Sequence, residues 1–300
     1  MLLELRRSLG LVARPGPDRS EHEKWVIDPS HTGVRERVLE IWRYRRVLAY
    51  FSIRYVKGMY EGTTLGIFWL FARPLLPIAI SAFIFGSLLK VGSDGIPYFL
   101  FFLAGMVTWM LFERGLLFVT RSFDQSKNLL KKVYFPRLIV PFASIMPALV
   151  NFGIYLGLLL GVAIYYFVKS GVFHLLFSFR LFAAVYVVLL AVMFSIALGL
   201  FTSVWQSRFP DVRMTLRYIT RFWSYATPII YPMSQIPPQY WWIMYVNPMA
   251  PIVETFKWAT LGIGGFYGGP LLASTAVIAA TFVGGLWYFG RAEAASIDQM

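Results

Sequence analysis

From about residue 65 onward the chain alternates long apolar runs with short polar or basic stretches. A helix needs about 20 apolar residues to cross the hydrocarbon layer. The runs at about 65–89, 98–120, 138–168, 181–204 and 271–289 meet that length or nearly so. A shorter apolar run begins at Phe222 and reaches spanning length only by borrowing a turn from Leu216, giving about 216–232. The pattern predicts an all-α integral membrane protein with six transmembrane helices and both ends on one side.

Two stretches break the pattern. Residues 34–57 read as an amphipathic helix: at 100° per residue Val34, Val38, Ile41, Tyr44, Leu48, Phe51 and Tyr55 share one broad face, with Arg35, Arg43, Arg46, Arg54 and Lys57 roughly opposite. Such a helix before a span lies either in the membrane interface or as a surface helix packed on its own protein. Gly58, Gly62 and Gly66 then allow an elbow into the first span. The second stretch runs from about Tyr225 to Gly265. It is apolar and aromatic, but Pro228, Pro232, Pro237, Pro238, Pro248 and Pro251 interrupt it. Proline removes a backbone donor and breaks helices, and freed backbone polar groups cannot face lipid. The expectation is a re-entrant gate element over about 233–265, on the side opposite the termini; an ordinary external loop with an aromatic belt is the plainer alternative.

Composition narrows the class. A chain that is 58% hydrophobic and 18% aromatic cannot bury all of that surface as a soluble domain. The net charge of +13 would suggest nucleic acid in a soluble protein. Here the Lys and Arg residues sit mostly in the N-terminal region and in the loops at 121–137 and 206–221, so membrane orientation and anionic lipid account for them and no nucleic-acid partner is expected. The opposite loops hold only Lys90, Lys169, Arg180 and Lys257. This bias places both termini in the cytoplasm. Residues 1–33 are polar and read as a cytoplasmic tail, and residues 58–300 as the transmembrane domain. There is no cysteine, no phosphate-binding Gly-rich loop, no His/Asp/Glu cluster with metal spacing and no nucleophile elbow. The chain is expected to be a non-enzyme without a metal or cofactor of its own, with energy supplied from outside.

Some residues admit two readings. Arg73, in the first span, either snorkels to the inner surface or faces a path for an anionic group. Glu113 and Arg114 lie near the inner end of the second span, about 100° apart, and need not pair with each other. Gly153, Gly157 and Gly161 form a stripe that suits close helix packing. Asn128–Tyr134 are expected to form a short helix before Pro136, offering a knob to another protein.

Several motifs together resemble the type 2 ABC exporter permeases. Leu65-Gly66-Ile67-Phe68-Trp69 with Pro74-Leu75 is similar to the start of their first span. Lys131-Lys132-Val133-Tyr134-Phe135-Pro136-Arg137 with Pro141 resembles the first coupling loop of the polysaccharide branch, the O-antigen export permeases, and Arg208–Arg213 the second. Thr227-Pro228-Ile229-Ile230-Tyr231-Pro232 and Tyr245-Val246-Asn247-Pro248-Met249-Ala250-Pro251 resemble its outer gate. The likeness covers about residues 41–291. It implies a multi-pass permease of the bacterial inner membrane, acting as a homodimer with two ATPase subunits that hold ATP and Mg, and an undecaprenyl-pyrophosphate-linked glycan as cargo. It implies coupling to the ATPase through Asn128, Leu129, Lys131, Lys132, Tyr134, Phe135, Pro136 and Arg137, and through Arg208, Phe209, Pro210, Asp211 and Arg213. Arg43, Arg46, Arg54 and Lys57, with Arg73 deeper, are expected to meet the pyrophosphate. Trp69, Tyr225, Tyr231, Trp241, Trp242, Tyr245, Pro248 and Glu254 are expected to line the channel and gate. The chain departs from the family pattern at Arg73, where a neutral polar residue is common, and at Pro210, where a basic one is.

The same fold would equally carry teichoic acid, capsule or a small hydrophobic drug. A membrane glycosyl- or acyltransferase would need a catalytic carboxylate or histidine set, which the sequence lacks. A passive scaffold would need no ATPase neighbour.

Overall fold

The computed structural model describes residues 34–60, 75–130, 135–172, 174–176 and 178–297, with side chains over 39–59, 75–126, 135–172, 174–176 and 178–292. Trp69, Arg73, Lys131, Lys132 and Tyr134, and the side chains of Asn128 and Leu129, lie outside the described residues. Among those described, every regular element is helical: α1 (Val34–Arg43), α2 (Arg45–Tyr60), α3 (Leu75–Leu88), α4 (Tyr98–Leu130), α5 (Ile139–Ser144), α6 (Met146–Ser170), α7 (Leu181–Arg208), α8 (Val212–Tyr225), α9 (Ile243–Val246), α10 (Met249–Leu261) and α11 (Gly268–Ile297).

Among the described residues, four helical stretches are long and apolar enough to cross a membrane: Tyr98–Ser126, Ile139–Ser170, Leu181–Arg208 and Gly268–Ala292. They match the second, third, fourth and sixth predicted spans. Of the first predicted span only the helix Leu75–Leu88 is described; it ends in a π-turn over Phe83–Leu88. The fifth differs. Its helix starts at Val212 and stops at Tyr225, 14 residues in all, because Thr227-Pro228 cannot continue it. At 1.5 Å per residue this reaches roughly 21 Å, short of the hydrocarbon thickness.

The contacts fix how the helices run. Phe112 meets Ser195, Val119 meets Gly199 and Thr120 bonds Thr202, so α4 and α7 are parallel. Thr220 meets Glu113 and Trp223 meets Trp109, so α8 runs back along α4. One end of the bundle therefore gathers the end of α4, Phe135–Leu138 and the Arg208–Val212 turn; we call it the basic end. The other gathers the α3–α4 link and residues 226–267, the proline end.

The core centres on α4, whose Phe101, Trp109, Phe112 and Leu116 are fully buried. Close approach of α4 to its neighbours depends on glycine. A Cβ at Gly115 would sit 2.7 Å from Ile145 Cδ1, and one at Gly199 2.4 Å from Val119 Cγ1. Trp109, Phe112, Phe194 and Trp223 form an edge-and-stack cluster with centroids 5.1–6.1 Å apart, joining α4, α7 and α8.

The glycine stripe expected to seat a helix does not do so within this chain. A Cβ at Gly153, Gly157 or Gly161 meets nothing within 4 Å, and all three positions are exposed. α6 buries the opposite stripe instead, through Tyr155, Leu159 and Ala163. The interface helix also differs in detail. Tyr44, Val47, Leu48, Phe51 and Tyr55 pack on Phe135, Ile139, Val140 and Ala143, so its apolar stripe faces its own protein. The outer face mixes exposed Trp42, Tyr50 and Ile53 with exposed Arg43, Arg46, Arg54 and Lys57.

Candidate functional site

Among the described residues, three helices line an open cavity of about 820 Å³. Pro77, Ser81 and Phe85 come from α3, at the four-residue spacing that keeps them on one face. Met106, Met110, Glu113, Leu117 and Arg121 recur at steps of three or four on α4, joined by Arg114 and Phe118. From α8 come Arg213, Arg217 and Arg221, one turn apart, flanked by Met214, Tyr218 and Tyr225. Helix α8 is held by its opposite face: Thr220 is fully buried and donates to Glu113 Oε1 at 3.2 Å, and Trp223 enters the aromatic cluster.

The cavity has two chemical ends. Phe85, Phe102, Ile229 and Ile230 line the proline end. There Ile229 lies against Gly105, and Tyr98 donates its hydroxyl to the Ile230 carbonyl at 2.6 Å. Arg114, Arg121, Arg213, Arg217 and Arg221 gather at the basic end, with Glu113 as the only carboxylate among the described residues of the lining.

Beyond Ile230 the proline-rich segment resolves into two parts. From Ala226 to Val246 it is turns, two 3-10 turns (Met233–Gln235, Pro238–Tyr240) and α9. Asn247 closes this part. Its side-chain oxygen accepts from Trp223 Nε1 at 2.8 Å and from the Met249 amide at 3.1 Å; its nitrogen donates to Thr227 Oγ1 at 2.9 Å and to the Ala226 carbonyl at 3.2 Å. The second part is a correction to the broken element read from sequence: Met249–Leu261 is one continuous helix. Pro248 caps it and Pro251 lies in its first turn, where a missing N–H costs nothing. All of its residues are buried except the half-buried Trp258.

Helix α10 carries an ion pair. Glu254 and Lys257, each 1% exposed, meet at 2.5 Å. Lys257 Nζ also donates to the Pro228 carbonyl at 2.8 Å and stands 4.2 Å from the Phe101 ring centroid. Gly264, with φ +71°, leaves the space that Glu254 uses; a Cβ there would lie 2.7 Å from Oε2. Lys257 is thus not the loop charge its sequence position suggests. The pair ties α10 to the turn at Pro228 and, through Phe101, to α4.

The other expected gate residues scatter. Tyr225 and Tyr231 adjoin one another, the Tyr231 hydroxyl donating to the Tyr225 carbonyl at 2.8 Å. Trp241, Trp242 and Tyr245 are exposed at the proline end and lie outside the cavity lining. At the basic end Arg208, Phe209, Pro210, Asp211 and Arg213 are all exposed. Pro210 forces Phe209 into an extended conformation (φ −128°, ψ 99°), which ends α7 and lets Asp211 start α8. Phe135 differs from expectation: it is 6% exposed and packs on Phe51 at 5.1 Å, so it holds α2 and presents little surface outward. Pro136 and Arg137 beside it are half-buried. Tyr55 of α2 bonds Ser126 Oγ at 2.8 Å, and burial raises its phenol above the ordinary tyrosine range, keeping it a donor or acceptor without charge.

The family model for the ABC-2 type transporter matches residues 47–261, from α2 through α10. The chain belongs to the ABC-2 type transporter family. It is similar to the O-antigen export system permease protein RfbA of Myxococcus xanthus, 26% identical over 222 residues, which cover 73% of this chain and 82% of that protein. It is also similar to RfbA of Klebsiella pneumoniae, 24% identical over 202 residues (67% and 75%), and to the inner membrane transport permease YadH of Escherichia coli K12, 25% identical over 198 residues (63% and 75%). ABC-2 permeases are transport subunits that work with ATPase subunits. Within this ABC-2 chain, sequence reading missed Arg114, Arg121, Arg217 and Arg221 as one group, because they come from two helices nearly a hundred residues apart. Their four-residue spacing on α8 was the available signal.

Proposed function

We propose that this chain is the membrane permease of an ATP-driven exporter that carries an O-antigen-type, lipid-linked polysaccharide out of the cytoplasm across the inner membrane. The observation that carries the reading is the cavity with a cationic end and an aromatic, apolar end, in a chain of the ABC-2 family whose similar relatives include O-antigen export permeases. A diphosphate-linked glycan has matching parts: an anionic link, and sugars whose flat faces suit aromatic side chains. Two copies of the chain face one another across this cavity and complete the path, and two ATPase subunits sit beneath.

The basic end lies in the cytoplasm, as the distribution of Lys and Arg favours. Arg43, Arg46, Arg54 and Lys57 on the outer face of the interface helix gather anionic lipid and cargo at the surface. ATP binding in the partner pulls on residues 128–137 and on the Arg208–Arg213 turn. The second is continuous with α8 and so with the cavity wall; the first is continuous with α4 on one side and, through Phe135 and Phe51, with the interface helix. The helices shift as rigid bodies, and residues 225–254 open at the periplasmic side.

The test is a strain lacking this chain. Undecaprenyl-pyrophosphate-linked glycan accumulates inside those cells and surface glycan is lost, and the full chain restores both. Normal surface glycan with no intracellular accumulation overturns the proposal.

A further inference from the structure

The basic end of the cavity holds more positive charge than its own carboxylate can offset. Among the described residues, five arginines line it against Glu113. Glu113 already accepts a hydrogen bond from Thr220, and Arg114 and Arg221 are its cationic neighbours. Arg121 stands among like charges, with Arg213, Arg114 and Arg217 as its cationic neighbours. Its guanidinium stacks 4.6 Å from the Phe118 ring centroid, and its Nε is buried with no hydrogen-bond acceptor. A crowd of guanidinium groups with one carboxylate among them repels itself, and an anion entering the cavity relieves that repulsion. Guanidinium groups converging from two helices present forked donors that match phosphate oxygens.

Depth narrows the anion. Arg114 and Arg121 lie about 24 and 35 Å along the helix from the start of α4, which places them around the inner edge of a hydrocarbon layer about 30 Å thick. An anion held there has its head at the interface and any attached chain beside lipid or along the apolar cavity wall.

We infer that Arg114, Arg121, Arg213, Arg217 and Arg221 form a binding site for the diphosphate of a lipid-linked substrate, separate from the basic residues of the interface helix. The site rests on the export reading for its natural ligand, but its chemistry is tested without it. Arg121 of α4 and Arg217 of α8 clamp the diphosphate, and Tyr225, nearer the proline end of the same cavity, faces the group attached to it.

The experiment measures binding of radiolabelled farnesyl diphosphate to the purified full chain in neutral detergent, with farnesol, inorganic pyrophosphate and phosphatidylglycerol as competitors. The expected result is saturable binding that inorganic pyrophosphate displaces and farnesol and phosphatidylglycerol do not. Arg121→Gln and Arg217→Gln each raise Kd about tenfold or more, as loss of a charge-assisted contact predicts, and raised salt weakens binding. Lys169→Gln, an exposed charge at the proline end, leaves Kd unchanged. Arg217 and Arg213 are exposed, so their Gln variants serve even where Arg121→Gln misfolds. Wild-type binding in the Arg213 and Arg217 variants, equal competition by farnesol, or equal displacement by phosphatidylglycerol overturns the inference. Binding that depends on the arginines, in a chain whose deletion causes no glycan accumulation, keeps this site and removes the cargo reading. Accumulation on deletion together with arginine-independent binding does the reverse.

Discussion

Lys257 is a lysine in surroundings that its type rarely occupies. It is fully buried, and its charge is held by Glu254, the Pro228 carbonyl and the Phe101 ring. Removing one partner of a buried pair strands the other charge, whereas replacing both with apolar groups is close to neutral. Lys257→Leu should therefore destabilise the detergent-solubilised protein by about 3–5 kcal/mol, and adding Glu254→Leu should recover most of it; thermal unfolding of the single and double variants measures this. Equal loss in both would mean that packing, and not charge, fixes this point. Asn247→Leu should cost about 1–3 kcal/mol, with the fluorescence of Trp223 shifting as its ring nitrogen loses its acceptor. Neither residue could be valued from the sequence. Lys257 comes after six prolines and reads as loop charge, and only the fold shows that Pro248 and Pro251 start a helix instead of breaking one. Asn247 sits within a family motif, but three of its four hydrogen bonds reach residues about twenty positions away.

At the scale of elements, hydrophobic runs predicted the long helices well because length and apolarity are properties of the segment itself. Pairing was less legible. Gly115 and Gly199, which belong to no stripe, make the tight contacts, while the regular stripe at Gly153, Gly157 and Gly161 stays open. Gly199→Val should cost about 1–3 kcal/mol through overpacking against Val119, and Gly157→Leu should stay within about 0.5 kcal/mol; unfolding midpoints of the two variants separate the cases. The interface helix was recognised by its period, yet which face meets protein depends on Phe135 and Ile139, far along the chain. Replacing Phe51 and Phe135 by alanine, singly and together, should give a coupling of about 0.5–1.5 kcal/mol and faster hydrogen exchange across residues 45–60. Additive losses would detach the helix from this contact.

For the whole molecule, topology carries the functional reading. The chain has no cysteine, so Phe209→Cys and Trp242→Cys each create one labelling site at opposite ends of the bundle. In intact spheroplasts an impermeant maleimide should modify the Trp242 variant and spare the Phe209 variant; the reverse would invert the proposed orientation. The family and four long apolar helices were legible from motifs and runs. The arginine cavity was not, since it exists only where α8 lies antiparallel along α4. Tyr134→Ala should leave the partner's ATP hydrolysis intact while export stops, and undiminished export would remove the coupling role. The most direct test uses inverted membrane vesicles holding this chain and its ATPase partner, with labelled undecaprenyl-diphosphate glycan on the outer surface. ATP should render the glycan resistant to an added glycosidase, and this protection should fail in the Arg121→Gln, Arg217→Gln variant. Protection that needs neither ATP nor this chain, or none when both are present, would contradict the account.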